Sequence, residues 1–460
     1  MPRIRTVAAA LALFAVAGFN SPALADEPKP PEGLDSKAPL SPADLARKNE
    51  DGYFTGLPLA NVDPSTGVGF GARAYYYNNG KRTDPRFPYT PYLHRVFLQL
   101  FATTGGLQFH WLDYDAPAFA GSPYRIRAQL IYQRNTAQHF FGLGNDAVGD
   151  LTFTGAGRDF KKFATYRDAL EELRPDGTAL TRYDEYDLER PLTIFGVERT
   201  FFRGLVRALV GAAINHVTIR DYSGETVSAI DADGRALDAT MGTSRLAEQC
   251  ATGELVGCDG GHESYLRFAV SYDTRDFEPD PNSGVYADLS LDVGPGVFSK
   301  YRFVRFLAAA RGYYSPIPEI ADLVIAARAT VQWQSAGTRF YSQNTIPFTE
   351  DVRTGLGGIR TLRGFRADRF VGRVFGLGNL ELRYTFLRFA VLRQKFALIA
   401  VPFLDVGRVY DDLGSVTFRG FRRGQGAALR ISWNLATIVT VDYGFSSEDS
   451  GLYINFAHIF

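Results

Sequence analysis

The stretch LVIAARATVQWQ, residues 323–334, decides the fold because its side chains alternate strictly between two faces. The odd positions, from Leu323 to Trp333, are all apolar, whereas the even positions include Arg328 and Gln332. A period of two residues is that of a β-strand. One face of this strand therefore meets an apolar environment and the other face a polar one.

The same alternation recurs along the chain, at 266–275, 287–293, 380–386 and 427–433. A soluble β-sandwich also alternates, but it seldom places so many Arg and Asp residues opposite such long apolar stripes. In a transmembrane barrel the apolar stripe faces lipid and the charged stripe faces a wet lumen. The pattern therefore predicts an all-β, antiparallel transmembrane barrel.

The alternating segments number sixteen, an even count that suits a bacterial outer-membrane barrel. With the C-terminus on the periplasmic side, the long connections at 136–184, 221–262, 336–375 and 409–423 all fall on the outer side. The short turns at 201–203, 276–284, 316–320 and 390–393 fall on the other side. The strands are predicted at 52–61, 67–78, 91–103, 105–116, 123–135, 185–200, 204–220, 263–275, 285–295, 301–315, 321–335, 376–389, 394–408, 424–434, 436–446 and 451–460.

Composition narrows the functional classes. The 460 residues carry 50 Lys+Arg against 50 Asp+Glu, so the chain lacks the broad basic field of a nucleic-acid binder. The six histidines are scattered and no G-x-S-x-G motif occurs, so we expect neither an enzyme nor a bound metal or other cofactor.

The N-terminus has the three parts of a secretory signal peptide, predicted over residues 1–25. Arg3 and Arg5 precede an apolar stretch at 7–19, and Ala23 and Ala25 mark a cleavage site. A membrane anchor is the alternative, but the apolar run is too short to span a bilayer. Residues 26–51 read as a Pro-rich periplasmic leader, either flexible or containing a short helix at the barrel mouth, and residues 52–460 as the barrel.

Five patches of the C-terminal half resemble one known family. LRGF at 362–365 is similar to the motif in the sixth outer loop of the BamA/TamA-type bacterial surface antigen superfamily, which comprises sixteen-stranded outer-membrane assembly and translocation barrels. Further patches resemble the strands and turns of that family in the same order, and Phe456 and Phe460 resemble its C-terminal barrel signal. The other matching patches are YDTRD at 272–276, NLELR at 379–383 and FLDVG at 403–407.

The LRGF motif also has a chemistry that can be read from its residues. Alternation places Glu381 and Asp405 on the lumen face of neighbouring strands, where the guanidinium of Arg363 could bridge both carboxylates. Gly364 would let the loop turn back, and Phe365 would pack against the barrel wall. We therefore expect a lock between a lumenal loop and the barrel; the alternative is that Arg363 is an ordinary rim arginine.

The resemblance implies a function at the outer membrane of a Gram-negative bacterium. Members of the family assist insertion or translocation of protein or lipid through a seam between the first and last strands, and the glycines at 67–71 suggest an early strand that pairs weakly. Residues 26–51 are too short for a periplasmic POTRA domain, so we expect a barrel-only member. Expected partners are outer-membrane lipids, client outer-membrane proteins and POTRA-type proteins supplied in trans. The alternative is a passive pore or a structural surface antigen without an assembly role.

Two cysteines lie in one predicted outer loop. In an exported protein Cys250 and Cys258 are expected to form a local disulfide. Metal ligation with the nearby Asp259 and His262 is the alternative.

Overall fold

A computed structural model describes residues 45–46, 48–276, 278, 280–297, 299, 301–318, 320–347, 352–391, 394–433, 437–456 and 458–460. The predicted signal peptide and residues 26–44 of the predicted leader lie outside these residues. The predicted helix at the start of the leader, near Ser41, therefore stays a prediction.

Sixteen antiparallel strands close into one barrel, which confirms the predicted fold class and strand count. Each strand pairs with its sequence neighbours, and the first strand returns to the last. The barrel strands are β1 Gly52–Asp63, β2 Gly67–Asn78, β3 His94–Thr103, β4 Leu107–Ala116, β5 Tyr124–His139, β6 Glu185–Phe201, β7 Val206–Asp221, β8 Gly261–Asp273, β9 Gly284–Gly294, β10 Phe303–Tyr314, β11 Leu323–Gln334, β12 Val374–Val391, β13 Gln394–Tyr410, β14 Arg422–Trp433, β15 Thr437–Ser446 and β16 Ser450–Phe456.

The two faces of each strand differ as the alternation predicts. On β11, Val331 is exposed on the outside of the barrel, whereas Arg328, Thr330 and Gln332 are buried in its interior. The outer surface therefore carries a continuous apolar band, and much of the inner surface is polar.

Short elements decorate the loops at one end. The helices are Gly144–Ala147, Phe163–Glu171, Arg245–Ala251 and Phe340–Gln343, with 3-10 turns at Phe119–Gly121, Phe202–Gly204 and Leu413–Ser415. The strands Thr178–Ala179, Thr226–Ile230 and Ala236–Met241 form a small sheet, and Thr345–Pro347 pairs with Val352–Thr354. Across the described ranges, none of the helices is long and apolar enough to cross a bilayer.

The loops after β5 and β7 pack together into a cap with its own apolar core. Tyr166, Leu170 and Tyr183 are buried there against Ala229 and Met241 of the small sheet. The long loops, including these two, all lie at one end of the barrel, as the strand parity predicts.

The predicted last strand is too long. Pairing of β16 ends at Phe456, and the side chains of His458, Ile459 and Phe460 are buried inside the barrel. The reason is electrostatic, because Arg328 and Arg383 donate hydrogen bonds to the carbonyls of Ile459 and Phe460. Phe456 ends the last strand, but Phe460 is a lumenal residue rather than part of the wall.

The expectation that the glycine-rich strand pairs weakly is also wrong. β2 pairs with β1 along its whole length and with β3 from Gly69 to Asn78. Its glycines serve packing, because a Cβ atom at Gly69 would collide with the ring of Phe101 in the lumen.

The described end of the leader is attached to the barrel at the end opposite the cap. The ammonium group of Lys48 donates to the carbonyls of Phe87 (2.6 Å) and Thr90 (2.7 Å) and lies 4.1 Å from the centre of the Phe87 ring. Asn79 donates to the carbonyl of Asn49 at 2.8 Å. The leader and the connection between β2 and β3 therefore form one packed unit.

Candidate functional site: the loop inside the barrel

The connection between β11 and β12 folds back into the barrel. Leu356, Leu362 and Phe365 are buried with Leu307 and Phe375 of the wall, and the rings of Phe365 and Phe370 meet at 5.1 Å. These apolar contacts hold the loop against the inner wall, as expected for Phe365.

Arg363 lies at the centre of the loop and is fully buried. Its Nε and Nη2 atoms donate to both carboxylate oxygens of Asp405, at 2.8 and 2.9 Å, and its backbone N–H donates to Asp405 at 3.1 Å. Its Nη1 atom reaches Glu381 at 3.1 Å and Asp442 at 2.8 Å. The structure thus brings together the three charged residues singled out in the sequence and adds Asp442 as a third acid.

Further cations complete this network. Glu381 also accepts from Arg430 at 2.5 and 2.9 Å and from Arg383 at 3.0 Å. Three arginines therefore face three carboxylates, so the buried charges balance. Such a network is stable as a whole, but losing one member leaves a buried charge without a partner.

Glycines let the loop approach the wall. Gly364 has a φ of 88°, in the left-handed region, and its N–H donates to the hydroxyl of Tyr453 at 3.1 Å. A Cβ atom at Gly424 or Gly444 of the wall would collide with Arg363. The sequence motif contains Gly364, but the two wall glycines and Tyr453 lie far from it in the chain and were missed.

The loop also spans the junction between the first and last strands. Arg366 forms an ion pair with Asp449, in the turn between β15 and β16, at 2.8 Å. On the other side of the junction it donates to the carbonyl of Pro64, and the N–H of Ala367 donates to Ser65 at 2.9 Å. The loop therefore contacts both strand ends that meet there.

Arg369 gives the loop a third attachment. It pairs with Glu448 at 2.7 Å and donates to the carbonyl of Ala147 in the cap at 2.6 Å. Sequence reasoning treated Arg366 and Arg369 as neutral neighbours of Arg363, and this was wrong. Their partners lie on a short turn that carries no recognisable motif.

The strand junction itself is narrow. β1 pairs with β2 from Gly52 to Asp63, whereas its register with β16 joins Val62 to Ile454. β16 pairs with β15 from Ser450 to Phe456. The barrel is therefore closed by far less main-chain pairing at this junction, which we call the seam, than along its other strands.

The two cysteines are joined by a disulfide in the loop after β7. The bridge links the helix Arg245–Ala251 to the segment that leads into β8. Among the residues that the structure describes, no group of three or more His, Cys, Asp or Glu side chains is arranged to hold a metal ion.

Comparison with known families follows from this geometry. The Omp85 superfamily domain matches residues 119–456, which include the lumenal loop and all of its charged partners. The chain belongs to the Omp85 superfamily. A second family, a domain of unknown function named DUF5982, matches residues 30–93.

Solved structures share the fold of this Omp85 chain. BamA from Haemophilus ducreyi lacking POTRA domains 1–3 is 12% identical, with a TM-score of 0.51, over 89% of this chain and 70% of that one. CdiB from Escherichia coli is 12% identical, with a TM-score of 0.49 over 88% of this chain and 62% of its own length. CdiB from Acinetobacter baumannii is 11% identical, with a TM-score of 0.44 and shares of 89% and 60%. No curated protein matches the chain.

The DUF5982 match crosses the boundary expected between leader and barrel. It joins residues of the leader to β1, β2 and the connection that follows them. The contacts of Lys48 with Phe87 and Thr90 lie within this match and tie its two parts together.

Proposed function

We propose that this Omp85 barrel is exported by its signal peptide to the outer membrane of a Gram-negative bacterium, where it assists insertion or translocation of protein or lipid. The observation that carries the proposal is the seam, which Val62 and Ile454 close. Outer-membrane lipids would surround the apolar outer face.

The seam is the cheapest place to open the wall. Opening an antiparallel junction breaks its ladder of N–H···O=C hydrogen bonds, and the cost rises with the length of the ladder. Once open, β1 offers an unpaired edge on which a client strand could add. A strand delivered in this way would leave the lumen directly into the lipid.

The lumenal loop would act as a clasp on this opening. Arg366 contacts both sides of the seam, and Arg363 anchors the loop to the wall behind it. Opening the outer end of the seam would require the contacts to Pro64 and Ser65 to break, while those to Asp405 and Asp449 could persist. Movement of the first hairpin away from the loop would then be the opening step.

The alternative function, a passive pore or structural antigen, requires neither the clasp nor an opening seam. A loop buried deep in the lumen with a balanced ion network speaks against a permanently open pore. A constant single-channel conductance in planar bilayers would favour the pore.

Cross-linking the seam tests the proposal. The variant Val62→Cys with Ile454→Cys places two thiols on directly opposed residues, which suits a disulfide. The matched control, Val441→Cys with Ile454→Cys, bridges β15 to β16 and leaves the seam free. In liposomes the oxidised seam variant should insert client barrels at the rate of protein-free liposomes, and reduction should restore activity.

The control should remain active in both redox states. If the oxidised seam variant works as well as the control, the seam does not open during function. A pull-down of periplasmic proteins would test whether a POTRA-type partner acts in trans. We place the leader, residues 26–51, at the periplasmic mouth, where such a partner would meet it.

A further inference from the structure

A cavity of about 310 Å³ remains in the lumen beside β3 to β8. Its volume lies at the lower end of the ~300–1,000 Å³ range of small-molecule sites. Its wall is largely apolar, with Phe109, Trp111, Ile131, Leu192 and Ile194 among the lining residues. The lumen of a barrel is ordinarily polar, so this patch needs an explanation.

The apolar side chains form one continuous band. Ile131 on β5 is paired with Trp111 on β4 and with Leu192 on β6, so the three residues lie at one level of the wall. Leaving such a band in contact with water costs free energy, roughly 25 cal/mol for each Å² of apolar surface. A ligand with an apolar body would cover it.

A cation without an acid lies at one end of the band. Arg127 lines the cavity four residues before Ile131 on the same strand, a distance of roughly 13 Å along the strand. Its Nε atom is buried without a hydrogen-bond partner. The nearest acid is already engaged, because Arg125 holds both oxygens of Asp115 at 2.7 Å.

The other arginines around the cavity are bonded to protein groups. Arg267 pairs with Asp292 at 2.7 and 2.9 Å, and Arg190 donates to Gln133 at 2.7 Å. Arg127 is therefore the cation best placed to receive an anion, through hydrogen bonds strengthened by charge.

We propose that this cavity binds an amphiphile made of an alkyl chain and one anionic headgroup. The chain lies against Trp111, Ile131 and Leu192, and the headgroup pairs with Arg127. A neutral hydrocarbon would leave the guanidinium without a partner, and a small anion would leave the apolar band uncovered. The site does not depend on opening of the seam.

A second cavity supplies the direction of entry. It has a volume of about 170 Å³ and shares Arg127 with the first cavity. It is also lined by Arg207 and by Glu278, which lies in the connection between β8 and β9 at the end opposite the cap. An amphiphile entering from this end with its chain first would leave its headgroup beside Arg127.

Tryptophan fluorescence can report occupancy, because the chain has three tryptophans and Trp111 lines the cavity. Trp433 is exposed on the outer face, and Trp333 lies on the apolar outer stripe of β11. The variant Trp333→Phe with Trp433→Phe retains Trp111 alone. A second variant, Trp111→Phe with Trp433→Phe, retains Trp333 and reports partition of the probe into the surrounding detergent.

The probe is a dibrominated stearate, whose bromine atoms quench tryptophan at contact. We expect saturable quenching of Trp111 at equimolar probe and only gradual quenching of Trp333. Dibrominated methyl stearate should bind at least tenfold more weakly. Brominated phosphatidylglycerol distinguishes the sources: saturable quenching with it indicates a phospholipid site, and quenching with stearate alone indicates a free fatty acid site.

Two variants complete the test. Arg127→Gln should weaken stearate binding about tenfold and leave the methyl ester unchanged, whereas Arg220→Gln, at an exposed residue, should change neither. Ala213→Phe fills the cavity and should abolish quenching while the heat-modifiable gel shift of the folded barrel persists. Equal quenching of Trp111 and Trp333, or equal binding of acid and ester, would overturn the proposal.

Discussion

The guanidinium of Arg363 meets the carboxylate of Asp405 with two nitrogens, at 2.8 and 2.9 Å, and both side chains are wholly buried. The ring of Phe403 lies 3.3 Å beneath the guanidinium carbon. This geometry fixes the position and the orientation of the loop, because the planar fork of an arginine can meet a carboxylate in few ways.

Arg363→Ala should loosen the lumenal loop. The change leaves Asp405, Glu381 and Asp442 facing one another without their shared cation, and breaking a buried pair in this way costs roughly 3–5 kcal/mol. We expect faster trypsin cleavage within the loop and a lower temperature for the heat-modifiable gel shift. Arg363→Lys should restore only part, because an ammonium group cannot bond both oxygens of Asp405 and still reach the other two acids.

The control for this variant must be an arginine that makes no buried contact. Arg419, exposed in the loop between β13 and β14, meets that need, whereas Arg369 is buried against Glu448. Identical protease sensitivity of Arg363→Ala and Arg419→Ala would mean that the loop is held by its apolar contacts alone.

Arg366→Ala should weaken the outer end of the seam without releasing the loop. The variant loses the ion pair with Asp449 and the hydrogen bond to the Pro64 carbonyl, a loss of about 1.5–3 kcal/mol for bonds of a charged group. Hydrogen exchange should rise in the turn that contains Ser65 and in the first residues of β16. Unchanged exchange at both places, with Arg419→Ala as reference, would remove Arg366 from the clasp.

The sequence predicted the wall better than the interior. Alternation of apolar and polar residues sets each strand and the face that it turns outward, so fifteen of the predicted strands lie close to those observed. It cannot say what fills the lumen. On β4 the inward stripe begins with Leu107, Phe109 and Trp111 and turns charged at Asp113, and only the closed barrel shows these apolar residues lining a cavity.

The site was predicted as far as motifs reach. Arg363, Glu381 and Asp405 belong to motifs whose order along the chain brings them to mind together. Asp442 and Tyr453 join them through contacts between strands that the sequence places among many similar residues. The inward turn of the C-terminus depends on Arg328 and Arg383, whose positions in the lumen are set by barrel closure.

Reduction of the Cys250–Cys258 bridge should loosen the outer loop locally. The bridge closes a short loop, for which the chain-entropy model gives about 2–3 kcal/mol. Cys250→Ser with Cys258→Ser should raise protease sensitivity between 245 and 260 and leave the barrel gel shift unchanged. Non-reducing mass spectrometry of protein from membranes checks the premise, and two free thiols there would refute it.

Acid should release the C-terminal tail through His458. Arg430 can only donate to the Nδ1 atom of this imidazole, so Nδ1 carries no proton and the Nε2–H group donates to Asp280 at 2.8 Å. Burial and the nearby Arg383 and Arg430 cations lower the pKa of His458 to about 3. Between pH 3 and 6.5 the native state therefore binds fewer protons than the unfolded state, and its stability falls as the pH falls.

From pH 6.5 to pH 5 the loss should reach about 2 kcal/mol, at 1.36 kcal/mol for each pH unit. A proton on Nδ1 would face the N–H group of Arg430, so the tail should leave its site and Phe460 should become accessible. Carboxypeptidase digestion followed by mass spectrometry should then remove Phe460 faster at pH 5 than at pH 7. His458→Gln can bond both Arg430 and Asp280 but does not titrate, so its digestion, corrected for the activity of the enzyme, should not change with pH. If both proteins respond to acid alike, another group controls the tail.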